Sequence, residues 1–323
     1  MGKLKIAFYW NASCGGCEEA VLDIGEGILE VLEKAEIVFW PVALDFKLDD
    51  LKKFANGEID VSFINGGIRL SEQEHVSKLL RKKSKLVVAF GSCAHLGGVP
   101  GLANLWKKKS IFDYYYREAP TVKNPRGVVP STKTRVPEGE IDLPEFYEVL
   151  KPLGQVVKVD YYVPGCPPPP NVVAKALEVV VEGELPPRGS VLGASNRALC
   201  EECPLNETKP KELLLKEFKR VHEFVPDPEK CLLAQGLPCL GPVTRGGCGA
   251  QCIRANMPCT GCFGPLDNVE DFGARAISFL ASILDYDTEE EILKALEKIV
   301  DPVGLFYLYS LPSSLVRDRI RRK

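Results

Sequence analysis

The sequence predicts an α/β fold: a flavodoxin-like doubly wound parallel sheet, then a Cys-rich, mostly irregular segment, then C-terminal helices. Three observations point there. Short apolar runs of strand length alternate with helical patterns up to about residue 185, as parallel strands joined by right-handed crossovers require. From Leu185 onward the composition turns to Gly, Pro and Cys, and after residue 268 helical periodicity returns. The expected units are 1–185, carrying a surface insertion at 107–154, then 186–268, then 269–323.

The elements follow in order. LKIAFYW at 4–10 reads as a buried strand, and a loop with Cys14 and Cys17 leads into an amphipathic helix over about 18–34. Strands are expected at 37–42, at 59–66 (IDVSFING) and at 85–91 (KLVVAFG), the last running into Ser92 and Cys93. Ser71 and Glu74 form a capping-box pattern for a helix ending in Arg81, Lys82 and Lys83. QVVKVDYYV at 155–163 is the fifth strand, followed by Cys166 among prolines and a helix over 171–182. Further helices are expected around 210–221, over 269–285, and over 288–300, where Thr288 and Glu291 repeat the capping box. The tail RDRIRRK reads as a solubilising basic end.

A length of 323 residues suffices for about two domains. Lys and Arg number 41 against 44 Asp and Glu, so the net charge of −3 provides no field for nucleic acid. The mixture of Lys107 to Lys109 with Tyr114 to Tyr116 therefore reads as a solvated or subunit-facing loop. No apolar run approaches the roughly 18 residues of a membrane span, and no cleavable signal or twin arginine opens the chain. A cytoplasmic location is expected.

Twelve cysteines stand against three histidines. Thiols in a reducing compartment stay free, so metal sites explain them better than a disulfide framework. Cys14 and Cys17 follow the first strand, Cys93 the fourth and Cys166 the fifth. In a doubly wound sheet those positions share the carboxyl edge. Gly15, Gly16, Gly91 and Gly165 free backbone amides to donate toward sulfides, and the helix starting near Glu18 points its positive end there. A 4Fe–4S cube on four thiolates fits. Zinc would also accept four thiolates, although zinc knuckles usually lie close in sequence. A redox pair at 14 and 17 would leave Cys93 and Cys166 unexplained. The other eight, Cys200, Cys203, Cys231, Cys239, Cys248, Cys252, Cys259 and Cys262, lie in a segment too poor in apolar residues to fold on its own core. Two cubes would use all eight, and two zinc sites are the alternative.

These motifs resemble a known family. Cys14-Gly-Gly-Cys17-Glu18, Gly91-Ser-Cys93 with Gly97 and Gly98, and Pro164-Gly165-Cys166-Pro167-Pro168 resemble the proximal-cluster motifs of NiFe-hydrogenase small subunits. Cys239 followed by Leu240-Gly-Pro-Val-Thr244, and Pro258-Cys259-Thr-Gly-Cys262, resemble the same family's C-terminal cluster domain. The likeness runs from about residue 4 to 265. Residues 143–168 look most like the gamma chain of cytosolic methyl-viologen-reducing, deazaflavin-non-reducing hydrogenases.

The resemblance implies that Cys14, Cys17, Cys93 and Cys166 hold a proximal 4Fe–4S cluster. It implies a medial cluster on Cys248, Cys252, Cys259 and Cys262, and a distal one on Cys200, Cys203, Cys231 and Cys239. Membrane-bound and periplasmic relatives have His where this chain has Cys200 and a non-ligand near Cys252, so three all-cysteine cubes are expected. Twelve thiolates leave none for nickel, and His75, His95 and His222 are scattered. The NiFe centre would thus lie in a partner large subunit. No residue here is expected to be catalytic, although Glu18 could tune the proximal cluster or take a proton, or be a plain helix-start acid. The branch implies a 2Fe–2S acceptor subunit and a flavin-based, electron-bifurcating heterodisulfide reductase of methanogenesis. The alternatives are a deazaflavin- or NAD(P)-reducing hydrogenase, a respiratory quinone-reductase core subunit, which the eight further cysteines oppose, and a zinc-stabilised scaffold.

Overall fold

The computed structural model of the chain describes residues 2–316, so the basic tail over 317–323 lies outside the described residues. Strands β1 (Leu4–Trp10), β2 (Ala35–Phe39), β3 (Ile59–Asn65), β4 (Ser84–Phe90) and β5 (Tyr161–Val163) form one sheet. Its order is β2-β1-β3-β4-β5 and every pairing is parallel. This is the doubly wound arrangement that the alternating elements predict.

The two faces follow from strand periodicity. Ile6, Phe8, Val61, Phe63, Val88 and Phe90 point to one face. They pack there with α1 (Gly16–Leu22), α2 (Gly27–Lys34) and Val172, Val173, Ala176 and Val180 of a helix over Pro170–Glu182. Ala7, Ile64, Val87 and Ala89 point to the other face, against Leu51 of α3 (Leu48–Lys53) and Val76 and Leu80 of α4 (Ser71–Lys83).

Several local expectations are corrected. The single helix over 18–34 is two, because the chain turns between Leu22 and Gly27, where Gly25 takes φ +65°. The second strand ends at Phe39, earlier than 42. The α4 cap is made by Gln73, whose Oε1 accepts the Arg69 and Leu70 amides, while Ser71 Oγ accepts the Glu145 amide. Of 155–163 only 161–163 is strand. The Asp160 carboxylate takes the Val87 amide at 2.9 Å, and Val156 and Val157 turn into the core. No helix forms over 210–221. Leu215 instead pairs with the backbone at Ile283 and Asp285, and Phe218 is buried beside it.

Helix α5 (Gly91–Leu96) precedes the insertion, and α6 (Lys108–Asp113) lies within it. A hairpin over Lys133–Val136 and Gly139–Asp142 follows, and then Phe146–Lys151, antiparallel to Ile68–Leu70. The helix Pro170–Glu182 is α7 and Gln251–Arg254 is α8. The tail carries α9 (Phe272–Ala281), α10 (Glu289–Leu296) and α11 (Pro302–Phe306). Leu199, Phe218, Leu233 and Leu240 of the Cys-rich stretch share one apolar core with Phe272, Leu280, Phe306 and Leu311. The tail thus supplies the apolar surface the cysteine segment lacks. Among the described residues no helix is long and apolar enough to cross a membrane.

Candidate metal centres

The first quartet is assembled by the sheet's carboxyl edge. Cys14 leaves β1, Cys17 begins α1, Cys93 lies in α5 directly after β4, and Cys166 follows β5. Cys17 and Cys93 are buried, whereas Cys14 and Cys166 are exposed. Burial raises the Cys17 thiol, and the nearness of Cys93, Cys166 and Cys14 raises it further. Burial likewise pushes Cys93 up to about 12. Two glycines make room. Gly91 has φ +81°, and a Cβ there would stand 2.4 Å from Cys17 Sγ; at Gly98, φ +62°, it would stand 2.3 Å from Cys93 Sγ. Real side chains do not approach so closely, so these positions are kept empty for the sulfurs.

The eight remaining cysteines separate into two cavities. Cys200, Cys203, Cys231 and Cys239 line one with Leu232, Leu233 and Ile253. Cys248, Cys252, Cys259 and Cys262 line another with Thr244, Thr260 and Phe263. Burial raises the thiols here as well, Cys200 and Cys262 to about 12 and Cys239 to about 11. Buried thiols of this kind become thiolates only where a cation compensates them.

Backbone contacts join the three quartets in a file. Ser92 Oγ donates to Gly165 O at 2.8 Å and to Cys262 O, and the Cys166 amide faces the Cys262 thiol. On the other side the Cys259 amide donates to Cys239 Sγ at 3.3 Å, and the Leu240 amide to Cys259 O at 2.8 Å. Glu202, inside the Cys200–Cys203 motif, accepts the amides of Gly247 and Gly249 around Cys248.

Glu18 is buried in the first turn of α1, accepting Trp40 Nε1–H and Asn65 Nδ2–H. Burial raises its carboxyl against those two donors. It is a helix-start acid, as one reading of the sequence expects, and a buried one held by two donors. The His95 ring stacks on Tyr162 at 4.4 Å, and burial, with Arg245 adding, brings it down to about 4. His75 and His222 are exposed. Ser92, Asn65 and Glu202 are contributors that sequence reasoning missed; positions beside cysteines marked Ser92 and Glu202, and nothing local marked Asn65 at the end of β3.

Known proteins share both the sequence and this arrangement. A family model described as the NADH ubiquinone oxidoreductase 20 kDa subunit matches residues 14–180, which stops short of the eight-cysteine segment. The iron–sulfur component of the F420-non-reducing hydrogenase of Archaeoglobus profundus is 44% identical, over 98% of this chain and 99% of its own. The chain belongs to the NiFe-hydrogenase small-subunit family. A component of the F420-non-reducing hydrogenase of Methanothermobacter thermautotrophicus is 38% identical over 99% of this chain and 98% of its own. The actinobacterial-type NiFe-hydrogenase from Ralstonia eutropha H16 superimposes with a TM-score of 0.52, over 92% of this chain and 90% of that one. At 18% identity that likeness speaks for the fold. As a member of this family the chain is an electron-transfer small subunit of an oxidoreductase, and it pairs with a hydrogenase large subunit. The family binds iron–sulfur clusters.

Proposed function

We propose that this chain holds three 4Fe–4S clusters and relays electrons from H₂ oxidation in the large subunit to a 2Fe–2S subunit and a flavin-based heterodisulfide reductase. Cys14, Cys17, Cys93 and Cys166 would hold the proximal cluster, Cys248, Cys252, Cys259 and Cys262 the medial one, and Cys200, Cys203, Cys231 and Cys239 the distal one. Each cluster, when bound, supplies a one-electron carrier whose potential is set by charge and by hydrogen bonds to sulfur. The observation that carries the reading is the file of contacts. Ser92 and Cys166 reach Cys262, and Cys259 reaches Cys239, so residues of neighbouring quartets touch.

The donor sets fit cubes better than zinc. Zinc knuckles usually lie close in sequence, whereas the first quartet spans three strand ends from Cys14 to Cys166, and four cysteines face each of the two cavities. The names of the relatives favour an acceptor other than F420. A cytoplasmic complex follows from the same reading.

Anaerobic purification from the native host, with iron, sulfide, zinc and nickel counted, tests it. About twelve irons and twelve sulfides per chain are expected, with nickel only alongside the large subunit. Co-eluting 2Fe–2S and heterodisulfide reductase subunits would name the acceptor. Zinc without sulfide would leave a structural scaffold.

A further inference from the structure

The C-terminal residues 307–316 run back across the molecule to the first quartet. Pro312 is buried against Gly97 and Gly101, where any Cβ would collide with its ring at 2.3 and 2.4 Å. Ser313 Oγ donates to Leu96 O at 2.7 Å, Gln155 Nε2 donates to Pro312 O at 3.0 Å, and the Leu315 amide donates to Asp271 at 2.9 Å. Within this stretch Tyr309 makes two contacts of different kinds. Its carbonyl accepts the Gly98 amide at 2.9 Å, and Gly98 is the residue packed on Cys93 Sγ. Its phenol Oη lies 3.1 Å from Thr260 Oγ1, between Cys259 and Cys262. Burial pushes the phenol up to about 12, against the hydrogen bond to Thr260.

We propose that Tyr309 is a positioning residue that ties the loop beside Cys93 to the Cys259–Cys262 loop, so that the proximal and medial clusters keep one fixed spacing. This rests on the three-cluster reading above. The backbone half of the tie belongs to the tail as a whole, and the phenol half is the part substitution can remove. Phe at 309 would preserve the ring and the carbonyl and cut only the bond to Thr260. Val at 260 would cut the same bond from the other end while keeping the shape of the side chain.

The test uses the whole hydrogenase complex, purified anaerobically through a tag on the large subunit, with Y309F, T260V, both together, and Y309A. Iron and sulfide are counted first, and the magnetic interaction between proximal and medial clusters is then read by EPR of the H₂-reduced complex. The expected result is full iron and sulfide in Y309F, with the proximal–medial splitting altered. T260V should alter it equally, and the double variant no more than either single. In Y309A, reduction of the medial cluster in freeze-quenched samples should slow several-fold while that of the proximal cluster keeps its rate. Should Y309A fail to assemble, the two conservative variants and their double carry the test. Full iron with unchanged splitting in Y309F would overturn the proposal, as would a change in T260V that Y309F does not share. Zinc in place of iron in the unsubstituted complex would instead overturn the cluster reading itself.

Discussion

Gly91→Ala should empty the proximal site and leave the other two filled. The backbone at this position has φ +81°, and the new Cβ would stand 2.4 Å from Cys17 Sγ. The left-handed conformation alone costs an alanine about 1–2 kcal/mol. The contact is the larger effect. Ordinary separations between such atoms are about 3.5–4 Å, so the sulfur must retreat by about 1 Å or more. Metal–ligand distances tolerate only about 0.2 Å. Gly57→Ala is the control, since Gly57 has φ +72° with nothing within 4 Å of its Cβ, so it carries the strain without the collision. Iron per chain should fall from about twelve to about eight in the Gly91 variant, with proximal EPR signals lost, and stay at about twelve in the control. A Gly91→Ala complex carrying its full iron would refute the argument that this glycine is kept for the Cys17 sulfur.

Asp160→Asn should destabilise the sheet by about 2–4 kcal/mol, because Arg81 and Arg188 lose the charge of a fully buried partner. Thermal unfolding of the purified complex would measure this, and iron content should not change. Cys259→Ala should lower iron to about eight per chain while distal EPR signals persist, because the residue-259 amide still donates to Cys239 Sγ. Loss of the distal signals as well would mean that the two sites load only together. Thr288→Ala removes a capping box at the start of α10. It should cost about 1 kcal/mol, seen as faster proteolysis in the tail, with hydrogenase activity intact.

The sheet was legible because its strands are apolar runs of strand length whose ends carry glycine or cysteine. Since topology places the carboxyl ends of parallel strands on one edge, Cys14, Cys93 and Cys166 could be brought together across 152 positions. The partition of the other eight cysteines was legible only through resemblance, because spacing alone cannot say whether Cys239 joins Cys231 or Cys248. In the structure Cys231 and Cys239 line one cavity and Cys248 the other. Residues acting at long range were not legible. Asp160 replaces strand hydrogen bonds with a carboxylate, so an apolar-looking strand is cut short. Leu215 and Phe218 look helical in their segment, but they pair with and pack against residues about 65 positions away. Tyr309 gives no local signal, since its partners, Gly98 and Thr260, lie far back in the chain.

The order in which a ribosome releases the chain gives the C-terminal strap a further role. Chains fold from the N-terminus as they emerge, so the four cysteines on the sheet edge are complete by residue 166, before any of the other eight cysteines has been made. The cysteine-rich stretch follows, and it must wait for Phe272, Leu280 and Phe306 before its apolar core can close. Pro312 and Ser313 are made well after both, yet they bolt onto Leu96, Gly97 and Gly101 beside the earliest site. The loop next to Cys93 thus stays unlatched until the chain has been made as far as Ser313.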